Sequence, residues 1–320
     1  MNTSLRNRRA PNAMARALTG SMTAVTLAAM LSASPFAAAQ AQPGAQNEPD
    51  RAALLKVKPD LAGFRNGVFL EPDPIDFSNH TGYTSLFDGK TLAGWDGQPG
   101  LWRVEDGAIV GETTTGMFAP YAFPNTFLVY RGTQAKDFDL KLEIKAEKGG
   151  GSGIQYRSAT VPPLAQPAGK SNDGRDPRWA MIGPQADFWY PVNEQAKQYS
   201  GQLYSQNTSR GIIVWRGQVV ESLPGQPLQD RPAPATIPQL VGVIGDRGKL
   251  GAYVRDGAWN QYTIIARGGV ILHILNGQLM AVLVDDDPAS SNNVSGLFGL
   301  QIEGVPSKVS FRNLWLKKID

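Results

Sequence analysis

Between Asp137 and Ser158 the hydrophobic and polar positions of the chain fall into a strict alternation. Phe138, Leu140, Leu142 and Ile144 take turns with Asp139, Lys141, Glu143 and Lys145, the period-two pattern of a strand with one buried face and one wet face. Glycines break the run, and Ile154 and Tyr156 then alternate with Gln155 and Arg157. Paired as a hairpin, the two strands would point their polar residues the same way. That polar face is the candidate site.

The same patterning repeats along the chain. Leu101–Val110 reads as a hairpin turning at Asp106-Gly107, and Asn125–Tyr130 as the next strand. Gln185–Tyr190 is a short aromatic strand in which Gln185 and Asp187 share a face, and 201–204 and 211–215 are further strands. The clearest sheet signal is C-terminal, in 259–267, 270–276, 278–285, 296–303 and 308–317, with Asn276-Gly277 the most explicit turn. Long Pro- and Gly-rich loops are expected over 159–183 and 224–238, and 239–248 is ambiguous. Convincing helices are absent from the pattern. The expected fold is all-β: an antiparallel sandwich of two packed sheets.

Residues 1–41 have the layout of a cleaved signal peptide, with Arg6, Arg8, Arg9 and Arg16 before the small, apolar run 17–39 and a small-residue cleavage pattern near Ala39. Residues 42–80 read as an extended Pro-rich arm and 81–320 as the domain. Removing four arginines and no acid turns the formal +3 of the whole chain into −1, so a basic surface for nucleic acid is not supported. The expected location is periplasmic or secreted, with no membrane association after cleavage. The chain has no cysteine, which excludes disulfides, thiolate catalysis and zinc knuckles.

The succession LFDGKTLAGWDG, WRVEDGAIVG, DFDLKLEI, GSGIQYR, QADF, WNQYTIIARG, ILNGQL and FRNLWLKK resembles the 3-keto-disaccharide hydrolase domain family over Tyr83 to Lys318. The resemblance implies a concanavalin-like jelly roll acting on sugars oxidised at C3, by hydrolysis or elimination of the glycosidic bond. The chain departs from the family pattern in three places. Glu303 takes the position of a His in an LQLHAGPP-like stretch, Phe188 and Trp189 stand where a polar or acidic residue is common, and an LYEE-like stretch becomes Leu203-Tyr204-Ser205-Gln206.

A ketone at C3 acidifies the C2 hydrogen, so cleavage needs a base, a partner for the enolate oxygen and an acid for the leaving group. Glu143, Asp187 and Glu303 are the candidate catalytic carboxylates, and Gln155, Arg157, Gln185, Trp189 and Tyr204 the candidate substrate-binding residues. Each has a bland alternative, since outward strand positions are polar for solvation alone; Glu303 could equally be an ion-pair partner of Arg157. Trp179 and Tyr190 are further sugar platforms, whereas Trp95, Trp102, Trp259 and Trp315 are assigned to the core. His80 and His273 read as structural. No cofactor is required; a divalent cation (Ca, Mg or Mn) on Asp187, Glu143 and Glu303, or at Asp285-Asp286-Asp287, is chemically possible. A non-catalytic carbohydrate-binding module on the same fold is the alternative function, and carbohydrate is the expected partner in either case.

Overall fold

The computed structural model describes residues 76–114, 125–160, 177–207, 211–222, 238–285, 292–303 and 306–319. The segments expected to be a leader and an arm, up to residue 75, and most of both expected long loops lie outside them. The described residues form an all-β sandwich whose connections are turns, short 3-10 segments and one helix of five residues, α1 (Arg247–Gly251). Among them no helix is long and apolar enough to cross a membrane.

The strands in chain order are β1 (Thr84–Ser85), β2 (Trp95–Asp96), β3 (Trp102–Glu105), β4 (Ala108–Thr113), β5 (Thr126–Ala135), β6 (Phe138–Lys148), β7 (Gly151–Thr160), β8 (Met181–Trp189), β9 (Leu203–Gln206), β10 (Gly211–Val214), β11 (Gln218–Ser222), β12 (Gln239–Val243), β13 (Asn260–Arg267), β14 (Val270–Leu275), β15 (Gln278–Asp285), β16 (Gly296–Ile302) and β17 (Ser307–Lys318). A larger sheet runs β12-β11-β15-β14-β13-β6-β17-β4-β3, with β1 beside β17, and a smaller one runs β10-β9-β8-β7-β16-β5-β2. All pairings are antiparallel except β11 with β15, which is parallel. The ambiguous segment 239–248 divides into the edge strand β12 and the start of α1.

Alternation produces the core. Phe138, Leu140, Leu142 and Ile144 of β6, Tyr262 and Ile264 of β13 and Phe311 of β17 face Leu128, Ile154, Tyr156, Ala186, Phe298 and Leu300 of the smaller sheet in one apolar cluster. At roughly 25 cal/mol per Å² of apolar surface buried, this cluster is the main force holding a disulfide-free chain together. His273 lies inside it as a structural histidine. Its Nε2 is 2.8 Å from the Tyr156 hydroxyl and its Nδ1 is 3.1 Å from the Gln202 carbonyl, and burial lowers its pKa to about 3.

Two expectations are corrected. β6 and β7 are not a hairpin: β6 pairs with β13 and β17, β7 with β8 and β16, and the chain passes from one sheet to the other at Gly149-Gly150. A glycine break permits a crossing as readily as a turn, so the polar faces of the two strands end on opposite outsides of the sandwich. Of the four tryptophans assigned to the core, Trp95 is there and Trp102 packs against it. Trp315 instead stacks on His80 at 4.4 Å, and Trp259 lies under the cations of Arg312 and Lys145, on the outer face of the larger sheet.

Candidate functional site

The outer face of the smaller sheet gathers six of the eight site residues named from the sequence. Register sets them in rows. Gly299 of β16, Gln155 of β7, Gln185 of β8 and Tyr204 of β9 lie side by side, and the next row holds Gln301, Gly153 and Asp187. The row beyond brings Glu303 and Trp189 together across Gly151. A Cβ on Gly151 would lie 2.6 Å from the Glu303 carboxylate and 2.7 Å from the Trp189 ring, so only glycine leaves room for both.

An unbroken line of side-chain amides crosses this face. Ser158 Oγ donates to Gln155 Oε1 (2.6 Å), Gln155 Nε2 to Gln185 Oε1 (2.7 Å), Gln185 Nε2 to Gln301 Oε1, and Gln301 Nε2 to Asn125 Oδ1. The Gln185 amide reaches Gln301 by lying over Gly153, where a side chain would collide with it. All three glutamines are buried, and each amide nitrogen keeps a second N–H beyond the one the line uses. Gln301 and Asn125 were not named from the sequence. The signal for Gln301 is present in Leu300-Gln301-Ile302-Glu303, where alternation puts it on the face of Glu303.

Asp187 is 4% exposed. Desolvation pushes its pKa well above the usual carboxylate value, and the nearby Glu303 charge pushes the same way, against hydrogen bonds from Gln202 and the Trp189 indole. The Gln202 bond is 2.7 Å, from Nε2 to Asp187 Oδ2. The other end of that amide, Gln202 Oε1, is buried with no hydrogen-bond partner among the described residues. Desolvation raises the pKa of Glu303 as well. Two carboxyls on adjacent rows, each biased towards its protonated form, have the make-up of an acid and base pair.

Glu143 and Arg157 are not on this face. Glu143 projects from the outer face of the larger sheet, where Arg312 Nε (2.8 Å) and Asn313 Nδ2 (2.6 Å) donate to its Oε2. Arg157 adopts a positive φ of 48° in a β-bulge. Its guanidinium is fully buried, donating to the carbonyls of Lys136 (2.5 Å), Gly268 (2.9 Å) and Asn292 (2.5 Å) and to Asp137 Oδ1 (3.0 Å). It ties the β5–β6 and β13–β14 turns together, and its ion-pair partner is Asp137 where the sequence left Glu303 open. Trp179 is also a packing residue, bonded through its indole to Asp96 at 2.8 Å under the Arg178 guanidinium. Tyr190 packs against the main core.

The three carboxylates considered for a cation do not converge, since Glu143 is on the other sheet. Among the described residues no group of three His, Asp or Glu side chains is arranged to hold a metal. Asp285 is buried and accepts from Asn292 Nδ2 at 2.8 Å; Asp286 and Asp287 lie outside the described residues.

Comparison with known proteins bears on what such a face serves. A 3-keto-disaccharide hydrolase of Bacteroides thetaiotaomicron is 36% identical over 114 residues, 32% of this chain and 33% of that one, so the match spans about a third of the relative. A crystal structure from Parabacteroides distasonis is 20% identical, covering 75% of this chain and 95% of the other at a TM-score of 0.44. A Bacillus subtilis protein of galectin-like fold is 12% identical, covering 71% and 90% at a TM-score of 0.43. The profile of the 3-keto-alpha-glucoside-1,2-lyase-like domain matches residues 82–317, nearly the whole of the sandwich, and the chain belongs to that family.

Proposed function

We propose that the chain is an exported enzyme that cleaves 3-keto-glycosides on the outer face of the smaller sheet, with Asp187 and Glu303 as its acid–base pair. The observation that carries this is the pairing of two desolvated carboxyls beside an aromatic wall, on a face crossed by amide donors. Family membership and the name of the Bacteroides relative support the substrate class.

The chemistry follows from the substrate. Glu303, made more basic by desolvation, takes the hydrogen from C2. The electron pair left on C2 delocalises onto the C3 carbonyl oxygen, where a spare amide N–H of the glutamine line can stabilise the charge. As the pair returns, the C1–O bond breaks. Asp187, biased towards its protonated form by burial, delivers its proton to the departing oxygen. The products are an enone and an alcohol, and addition of water to the enone completes net hydrolysis. Glu143 and Arg157 take no part in this scheme, being committed to Arg312 and Asn313 and to the strand ends respectively.

The test is incubation of purified protein with 3-keto-trehalose or 3-keto-lactose, with and without EDTA, following released monosaccharide and enone. Turnover is expected to require Asp187 and to survive Glu143→Gln. Binding without turnover would leave a carbohydrate-binding module, and turnover that persists in Asp187→Asn would overturn the acid assignment.

A further inference from the structure

Trp189 belongs to two places at once. Its ring meets Glu303 over Gly151 and its indole bonds to Asp187, and it also walls a cavity of about 410 Å³, within the range of small-molecule sites. The inner surface of that cavity includes Ser200 and Arg216, both buried. Arg216 is 2% exposed, yet it forms no salt bridge among the described residues. Its Nε donates to the Arg247 carbonyl (2.9 Å) and its Nη1 to the carbonyls of Lys197 (3.0 Å) and Ser200 (2.9 Å). Nη2 lies against Gly251, which also lines the cavity, and it is not among the enclosed polar atoms left without a partner, so this edge of the guanidinium is the one that reaches the cavity. A donor at a cavity wall can give its N–H to a ligand hydroxyl in place of water.

The rest of the lining decides what kind of ligand. Glu194, Asp246 and Asp256 stand with Lys197 around Arg216, so acids outnumber bases and an anion would be repelled. Interspersed donors and acceptors next to an aromatic wall match a neutral polyol, whose hydroxyls both give and accept hydrogen bonds and whose ring has an apolar face.

We propose that this cavity seats the leaving saccharide, a neutral hexose that lies against Trp189 with its hydroxyls on Arg216 Nη2 and the surrounding carboxylates. The inference rests on the reading of Asp187 and Glu303 as the cleaving pair: Trp189 joins that pair to the cavity, placing the scissile oxygen at the junction and the released ring beyond it.

Gly248→Trp tests the idea without touching Arg216 or Trp189. Gly248 lines the cavity from α1, and a Cβ there would meet only the Asp246 carboxylate, at 3.2 Å, so the indole can fill the space at little cost to the fold. With 3-keto-trehalose, kcat/KM is expected to fall by about tenfold or more. With methyl 3-keto-α-glucoside, whose leaving group is too small to use the cavity, it should stay within about twofold. Equal losses on both substrates, or no loss on either, would overturn the proposal. Should the wild-type protein cleave neither substrate, the reading of the cleaving pair fails instead, and the cavity is judged by glucose binding in saturation-transfer NMR. A wild-type signal abolished by Gly248→Trp would uphold a hexose site, and no wild-type signal would exclude one.

Discussion

The two outer faces of the sandwich are built from the same strand alternation and come out chemically opposite. On the larger sheet, Glu143 meets Arg312 and Asn313, Lys145 and Arg312 lie over Trp259, and Lys308 bridges Glu105 and Glu147. Most of these charges reach water and find opposite charges there, so the face is a solvated ladder. On the smaller sheet an exposed Arg131–Asp96 pair holds the β2–β5 edge, but the centre, across β7, β8 and β16, gathers buried amides and two carboxyls withdrawn from water, whose pKa values move up with no cation among the described residues to restrain the shift. A polar residue on a strand therefore says little about chemistry until its access to solvent is known. The desolvated face is the one proposed to react.

The sharpest way to break this contrast is Asp187→Asn, which preserves shape and removes the proton donor. Turnover of a 3-keto-disaccharide is expected to fall by about 10²–10⁴-fold in kcat, measured by monosaccharide release. A smaller but structural effect should follow from Gly153→Ala. The added methyl would lie 2.8 Å from the Ala186 carbonyl and collide with the Gln185 amide; a loss of about 1–3 kcal/mol in urea unfolding is expected, with reduced activity because the amide line parts.

The third test uses pH. The folded state holds the Asp187 proton more tightly than the unfolded chain does. Its contribution is fully present below the ordinary carboxylate pKa and is lost as pH rises through the folded-state value. Wild-type urea midpoints should therefore decline from about pH 4 upward on this account, and those of Asp187→Asn should be flatter. The smallest effect is expected on the other face. Glu143→Gln leaves kcat unchanged and costs about 1 kcal/mol or less, because Arg312 is 37% exposed and water screens the pair. A large activity loss in that variant would erase the distinction between the faces.

The sequence showed the strands better than their partners. Asn276-Gly277 turns the β14–β15 hairpin with φ of 51° and 80°, as the dipeptide demands. The alternation of β6 correctly separated its core residues from Asp139, Lys141, Glu143 and Lys145. Which sheet each strand joins was not legible, because neighbours in sequence need not be neighbours in a sandwich and the glycines at 149 and 150 allow either outcome. That one misreading carried Glu143 into the candidate site. Arg157 was misplaced for a different reason: alternation assumes regular backbone, and the bulge at its positive φ redirects the side chain into the turns at the sheet end. Asp187, Gln185, Gln155 and Glu303 were placed together because several strands contributed to the expectation, so no single pairing error could scatter them.

The amide line has a consequence for how the protein reaches its native state. Gln301 is 116 residues from Gln185 and 176 from Asn125, and the Ser152 hydroxyl that donates to its carbonyl is 149 residues away. None of these bonds can form in a local hairpin, and each requires closure of a long loop before it contributes anything. On refolding from denaturant, hairpins such as β14–β15 should therefore form early and the amide line late. Recovery of activity would then lag behind recovery of β-sheet circular dichroism, and a nascent chain would be inactive until β16 had emerged.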